Sequence, residues 1–220
     1  MLGYFYDTPF HIVTRFVLWC YFKVFYGIKI SGRKNIPLTG AVLIAPNHQS
    51  FYDAPLVGFA VPRRIYFMSK KKYMDVPLLG LLMRILRAFP IENQNDRKAY
   101  ANILKTLESG KCLTIYPEGE RTRTGDLEPI QPGVPRMALK TGATIVPMSI
   151  LGAYEVWPHS QKFPSFFKKI VLKYHRPIMV EACHDKQQLK IQMEEIRQEL
   201  ERVLSRRVRA WQRLKKIRQK

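Results

Sequence analysis

With 220 residues, 46% apolar and 12% aromatic side chains, the chain can bury one hydrophobic core of ordinary size, which argues against a disordered tail and for one domain. Lys and Arg number 37 against 17 Asp and Glu, a net charge of +20 that favours anionic partners: nucleic acid, anionic lipid or phosphorylated ligands. Cys20, Cys112 and Cys183 form no CxxC pair, so the composition argues against a disulfide framework or a zinc site and fits a reducing, cytosolic setting.

The first element runs from Pro9 to Gly27, PFHIVTRFVLWCYFKVFYG. Arg15 and Lys23 interrupt it, so it lacks the roughly 18 apolar residues in a row of an ordinary spanning helix. Without a basic stretch ahead of it or a small-residue cleavage site, it does not read as a signal peptide. Trp19, Tyr21, Phe22, Phe25 and Tyr26 suit a membrane interface; the plainer alternative is a helix packed on its own domain.

Short apolar runs then alternate with helical patterns. Strands are predicted at AVLIAP (41–46), RIYFMS (64–69), CLTIYP (112–117), TIVPMSI (144–150) and KIVLKYHRPI (169–178). Helices are predicted at DAPLVGFAV (53–61), DVPLLGLLMRILRAF (75–89, with Arg84 and Arg87 on its face), DRKAYANILKTLESG (96–110) and PGVPRMALKTG (132–142), the last two closed by glycine. This alternation predicts an α/β domain over 31–184, with a largely parallel central sheet flanked by helices, behind an N-terminal membrane-associating helical segment, 1–30. From Asp185 to Lys220 apolar residues recur every three or four positions, and the end, SRRVRAWQRLKKIRQK, is strongly basic: an amphipathic helix that suits an anionic surface or merely solvates its charge.

Residues 47–53 read NHQSFYD and begin where a predicted strand ends. Ser50 and Asp53 have the spacing of a capping box, which by itself needs no chemistry. Parallel-sheet proteins also place ligands beyond the carboxyl ends of strands. Within a helix, residues five apart diverge by about 140°, but His48 precedes the helix, so the chain can fold back and bring its imidazole to Asp53. Such a pair is a general base, with the carboxylate holding the ring's tautomer. No GxSxG elbow supplies a nucleophile, so the proton would come from an acceptor hydroxyl.

A second loop, YPEGERTRTGDL (116–127), carries Glu118, Gly119, Arg121 and Arg123, and the arginine fork suits phosphate. A third segment, RRIYFMSKKKYM (63–74), holds Lys70 among five cations. Either of these is, by itself, equally well a solvated charged surface.

Taken together these residues resemble the glycerolipid acyltransferases, specifically the lysophosphatidate (1-acyl-glycerol-3-phosphate) acyltransferase family. NHQSFYD is similar to that family's NHxSxxD motif, FMSKKKYMDVPLLGLLMR to its second, YPEGERT to its third and ATIVPMSI to its fourth, in the family's order between about residues 41 and 150. The resemblance implies His48 as general base oriented by Asp53, with Lys70, Glu118, Gly119 and Arg121 at the acceptor phosphate and Asn47 and Arg97 in support. It implies no metal and no cofactor beyond the co-substrate, acyl-CoA or acyl-carrier protein. The implied partners are lysophosphatidate and a phospholipid membrane, with the domain monotopic on the cytosolic face, the acceptor alternatively being glycerol-3-phosphate or another lysophospholipid. Glu120 departs from the usual small residue, and RAFPIENQNDR follows the usual pattern only loosely. A nucleic-acid-binding protein would explain the charge but lacks an RNP, GXXG or helix-turn-helix signature. A non-catalytic lipid-binding module would leave the intact His48 and Asp53 without a purpose.

Overall fold

The computed structural model describes residues 9–77, 80, 81, 83, 88–93 and 96–218. In chain order the elements are α1 (Pro9–Tyr26), β1 (Lys29–Ser31), β2 (Val42–Pro46), α2 (Asp53–Ala60), β3 (Ile65–Lys70), α3 (Lys71–Met74), β4 (Ala88–Ile91), α4 (Arg97–Glu108), β5 (Cys112–Thr114), α5 (Gly133–Thr141), β6 (Thr144–Leu151), α6 (Ala153–Val156), β7 (Val171–Tyr174) and α7 (Lys186–Arg218). Most of the predicted helix at 75–89, including Arg84 and Arg87, lies outside the described residues.

The strands form one sheet in the order β1-β7-β6-β2-β5-β3-β4. Every pairing is parallel except β6 with β7. Both central strands, β2 and β6, are buried along their whole length, which is why they read as unbroken apolar runs rather than alternating ones. Their side chains still alternate between two cores. Val42 and Ile44 face Phe22, Leu56 and Val57 of α1 and α2. Leu43 and Ala45 face Ile103, Ala138 and Leu200 of α4, α5 and α7.

Two strands escape the apolar-run reading. β4 holds AFPI, whose first two residues close the predicted helix at 75–89. Pro90 disfavours the helical region for Phe89, and a proline lacking an N–H is tolerated in this edge strand. The Phe89 ring then stacks on Tyr66 of β3, with centroids 5.7 Å apart. β1 is three residues long and pairs only with β7, which the local pattern KIS cannot reveal. β7 stops at Tyr174, before the predicted end at 178, and pairing resumes as a single bridge between Ile145 and Ile178.

The first of the two interrupting cations in α1 has structural partners. Arg15 donates to the carbonyls of Phe59 and Val61 at the end of α2, at 3.3 and 2.7 Å, where the helix leaves acceptors unmatched. α1 buries Phe22 and Tyr26 yet exposes Ile12, Val13, Phe16, Val17, Trp19 and Val24. Among the described residues, no helix is long and apolar enough to cross a membrane. At the far end α7 buries Ile196, Leu200, Leu204 and Val208, so this helix belongs to the core along its middle.

One glycine is held by close packing. Gly152 has φ 85°, and a Cβ there would lie 2.1 Å from the Lys169 carbonyl oxygen and 3.0 Å from the Trp211 ring. Gly152→Ala should therefore destabilise the fold by roughly 1–3 kcal/mol, read as a lowered Tm in thermal melting.

Candidate active site

The site is built where β2 runs out. Asn47 follows the last strand residue and continues the ladder with its side chain: Nδ2 donates to the Ile150 carbonyl at 2.9 Å, and Oδ1 accepts from the Ile150 amide at 2.7 Å. The backbone of Asn47 donates to the Met148 carbonyl. The chain is thereby clamped to β6 one residue before His48.

The next residues turn into α2 around a single oxygen. Asp53 Oδ2 accepts from the amides of Gln49 and Ser50, at 2.6 and 2.8 Å, and lies 2.7 Å from His48 Nδ1. An oxygen already accepting two N–H groups takes a third donor, so Nδ1 carries the ring proton and Nε2 has an open lone pair. Asp53 is fully buried in the first turn of α2, where the helix dipole favours negative charge. The predicted capping box is half present. Asp53 reaches back to the Ser50 amide, but Ser50 Oγ accepts from Tyr52 and donates to the Trp157 carbonyl at 2.9 Å. Capping and orienting the histidine are thus two jobs of one carboxylate.

The loop after β5 braces this turn from the other side. The His48 amide donates to Glu118 Oε1 at 2.5 Å, and the His48 carbonyl accepts from the Thr122 amide at 2.9 Å. The second Glu118 oxygen accepts from the Glu128 amide at 2.7 Å. Glu118 is buried and both its oxygens face backbone N–H groups, so the structure places it behind the loop. Burial pushes its carboxyl up to about 8 against the pull of those two amides, with the nearby Asp53 and Glu128 charges adding to the rise. Gly119 takes φ 79°, a left-handed turn that suits glycine and lets Glu118 point inward while Glu120 stays exposed.

One aromatic ring lies directly on the histidine. Tyr116 stacks on the imidazole with centroids 3.8 Å apart and 14° between planes. Burial raises its hydroxyl well above the ordinary value, so it stays neutral. The His48 side chain keeps 21% of its surface exposed, enough for a substrate atom to reach it. Arg121 lies with its guanidinium carbon 3.7 Å from the centroid of Phe51, which in turn packs on Trp157 at 5.0 Å. No ion pair among the described residues engages Arg121.

The structure thus brings Asn47, His48, Asp53, Glu118, Gly119 and Arg121 together. Lys70 ends β3 and is exposed on the same edge of the sheet. Val42 and Ile65 both register with Cys112, so β2 and β3 start level, and Lys70 pairs with Ile91 of β4 at the carboxyl end of its strand. Arg97 opens α4 and is exposed; it follows β4, an edge strand of the sheet. Phe51, Tyr116 and Thr122 escaped the sequence reading because their roles are contacts between two loops. Among the described residues no cluster of His, Cys, Asp and Glu could hold a metal ion.

Residues 27–151, more than half of the chain, match the family model described as Acyltransferase. The chain belongs to the acyltransferase family. It is 27% identical over 175 residues to the chloroplastic 1-acyl-sn-glycerol-3-phosphate acyltransferase LPAT1 of Arabidopsis thaliana, an alignment covering 76% of this chain and 48% of the relative. It is 28% identical over 149 residues to the 1-acyl-sn-glycerol-3-phosphate acyltransferase of Bacillus subtilis, covering 67% and 70%. The chain spans about half the length of the plant relatives. The crystal structure of PlsC from Thermotoga maritima, a 1-acyl-sn-glycerophosphate acyltransferase, superposes with a TM-score of 0.70 at 24% identity, covering 94% of this chain and 84% of that one. This likeness supports the acyltransferase fold over nearly the whole chain.

Glu118 carries a pH signature. Its folded pKa, about 8, stands above its ordinary 4.5, so the proton stabilises the fold. That contribution is complete below pH about 4.5 and is lost as pH rises through about 8. In Glu118→Gln this slope should disappear, seen as a flattened Tm against pH profile between those limits when compared with the parent chain.

Proposed function

We propose that this chain moves a fatty acyl group from a thioester donor, acyl-CoA or acyl-carrier protein, to the free hydroxyl of 1-acyl-glycerol-3-phosphate, forming phosphatidate. The observation that carries the reading is the His48 Nδ1 to Asp53 Oδ2 contact of 2.7 Å, with the ring held and still reachable. Its other nitrogen, Nε2, takes the acceptor's hydroxyl proton as that oxygen attacks the thioester carbonyl. The C–S bond breaks as the new ester C–O bond forms, and the imidazolium returns its proton to the departing sulfur. Asp53 stabilises the imidazolium in between. Ser50, the hydroxyl nearest in sequence, has its oxygen engaged with Trp157 and Tyr52, which fits direct transfer without an acyl-enzyme. The scheme draws on no cofactor besides the donor.

Arg121 is the group suited to the acceptor phosphate, since it lies beside the histidine's loop and its planar fork matches phosphate oxygens. Lys70, at the same end of the sheet, adds positive charge, while Glu118, Gly119 and Asn47 hold the loops in register; Arg97 is a further cation for the same anion. The names of the curated relatives support the choice of acceptor. The lipid acceptor and the exposed apolar face of α1 support a monotopic position on the cytosolic face of a membrane, with the charge of +20 drawn to anionic head groups. On this reading the basic charge serves lipid and thioester substrates, and no nucleic acid is involved.

A thiol-release assay with palmitoyl-CoA and a panel of lysophosphatidate, glycerol-3-phosphate and lysophosphatidylethanolamine tests the reaction. Release should require lysophosphatidate, and His48→Ala should lower kcat by about 10²–10⁴-fold with the Tm little changed. Comparable turnover by His48→Ala would remove the assignment. Arg121→Ala should chiefly raise KM for the phosphorylated acceptor, by about 10–150-fold, because a charge-assisted contact is lost.

A further inference from the structure

Between α6 and β7 the chain passes through PHSQKFPSFFKK, residues 158–169, which none of the family motifs explains. This segment is firmly built. Trp157 Nε1 donates to the Gln161 carbonyl at 3.0 Å, the Ser165 amide to the Val156 carbonyl at 2.8 Å, and the Phe167 amide to the Phe25 carbonyl of α1 at 3.0 Å. Yet it turns its largest apolar side chains outward. Phe163 is 68% exposed and Phe167 81% exposed. Phe167 also takes φ 60°, a left-handed conformation that a bulky side chain adopts only under constraint from its surroundings. A fold stable in water alone gains nothing by holding a strained phenylalanine in solvent.

Three lysines bracket these rings: Lys162, whose Nζ lies 5.6 Å from the Phe163 ring, and Lys168 and Lys169. Lys168 and Lys169 also border a cavity of about 420 Å³ whose walls include Trp211, Leu214 and Lys215. Apolar tips flanked by lysines match the layering of an anionic bilayer, with hydrocarbon beneath phosphate. The position fits as well. Phe166 packs on Phe25 and Tyr26 of α1, at 5.4 and 6.3 Å, so the loop is fixed against the last turn of that helix. At its other end Trp157 packs on Phe51, the ring beneath Arg121.

We propose that residues 158–169 are a second membrane-docking site, in which Phe163 and Phe167 enter an anionic phospholipid surface and Lys162 and Lys169 meet its phosphates. The loop and α1 then seat the domain with the rim of the site, Phe51 and Trp157, against the bilayer, where a lipid acceptor leaves the leaflet. The inference rests on the membrane-bound acceptor proposed above.

Vesicle co-sedimentation of the full chain tests it, with phosphatidylcholine vesicles and with vesicles of phosphatidylcholine and phosphatidylglycerol. Phe163→Ser/Phe167→Asn is the chosen variant, because asparagine tolerates the left-handed backbone and neither ring supports the core. Its partition into the mixed vesicles should fall by about tenfold or more, at an unchanged Tm. Lys162→Gln/Lys169→Gln should lose binding to the mixed vesicles and little to the neutral ones. Phe163→Ser by itself repeats the test should the double variant melt early. Wild-type partition by the phenylalanine variants overturns the proposal. If Phe16→Ser/Val17→Ser in α1 loses binding in that same case, the membrane reading survives without the loop. If the parent chain binds neither vesicle, both readings fall.

Discussion

Three N–H groups converge on one oxygen of Asp53, and the geometry around His48 follows from that convergence. A carboxylate buried at the start of α2 needs donors, and the amides of Gln49 and Ser50 can supply them only if the chain turns sharply after Pro46. That turn swings the His48 imidazole back onto the same oxygen. The need to hydrogen-bond a buried carboxyl oxygen therefore fixes the imidazole in place. Removing the carboxylate would lose the turn, the start of the helix and the ring orientation together.

The turn is supported on both flanks by groups far away in sequence. Asn47 extends the β2–β6 ladder by a side-chain amide, and Glu118 and Thr122 grip the amide and carbonyl of His48 from the neighbouring loop. Parallel strands make this possible: β2 and β5 end side by side, so their following loops meet over the same edge. Arg121 arrives beside the histidine through the same adjacency, carried by the left-handed turn at Gly119 and laid on Phe51. His48 and Arg121 are thus carried to one edge of the sheet by neighbouring strands.

α1 is joined to this assembly through its inner face. The hydroxyls of Tyr21 and Tyr52 are 2.6 Å apart, and Phe22 meets the Tyr52 ring edge-on at 5.1 Å. Tyr52 immediately precedes Asp53, and burial beside the other tyrosines pushes its hydroxyl up to about 12, so the contact stays neutral. One side of α1 is therefore committed to the site while its other side remains apolar and exposed. A helix divided in this way links its exposed apolar side to the chain turn that holds His48.

Much of the architecture was legible in the local sequence, because its signals act over a few residues. Apolar runs marked β2, β3, β5 and β6, Gly142 stopped α5, Asp96 capped α4, and the spacing from His48 to Asp53 suggested a chain folded back on itself. The ordered motifs likewise pointed to the family that the matched model identifies. Tertiary structure decided what no short window contains. β1 and β4 are strands because β7 and β3 offer them partners, and Pro90 and Phe89 read as the end of a helix until Tyr66 is beside them. Glu118 reads as a charged loop residue and proves to be a buried brace, since its donors come from His48 and Glu128. Residue type and spacing can propose a carboxylate beside a histidine. Only the parallel sheet, by bringing two loops to one edge, determines which amides, rings and cations surround that pair.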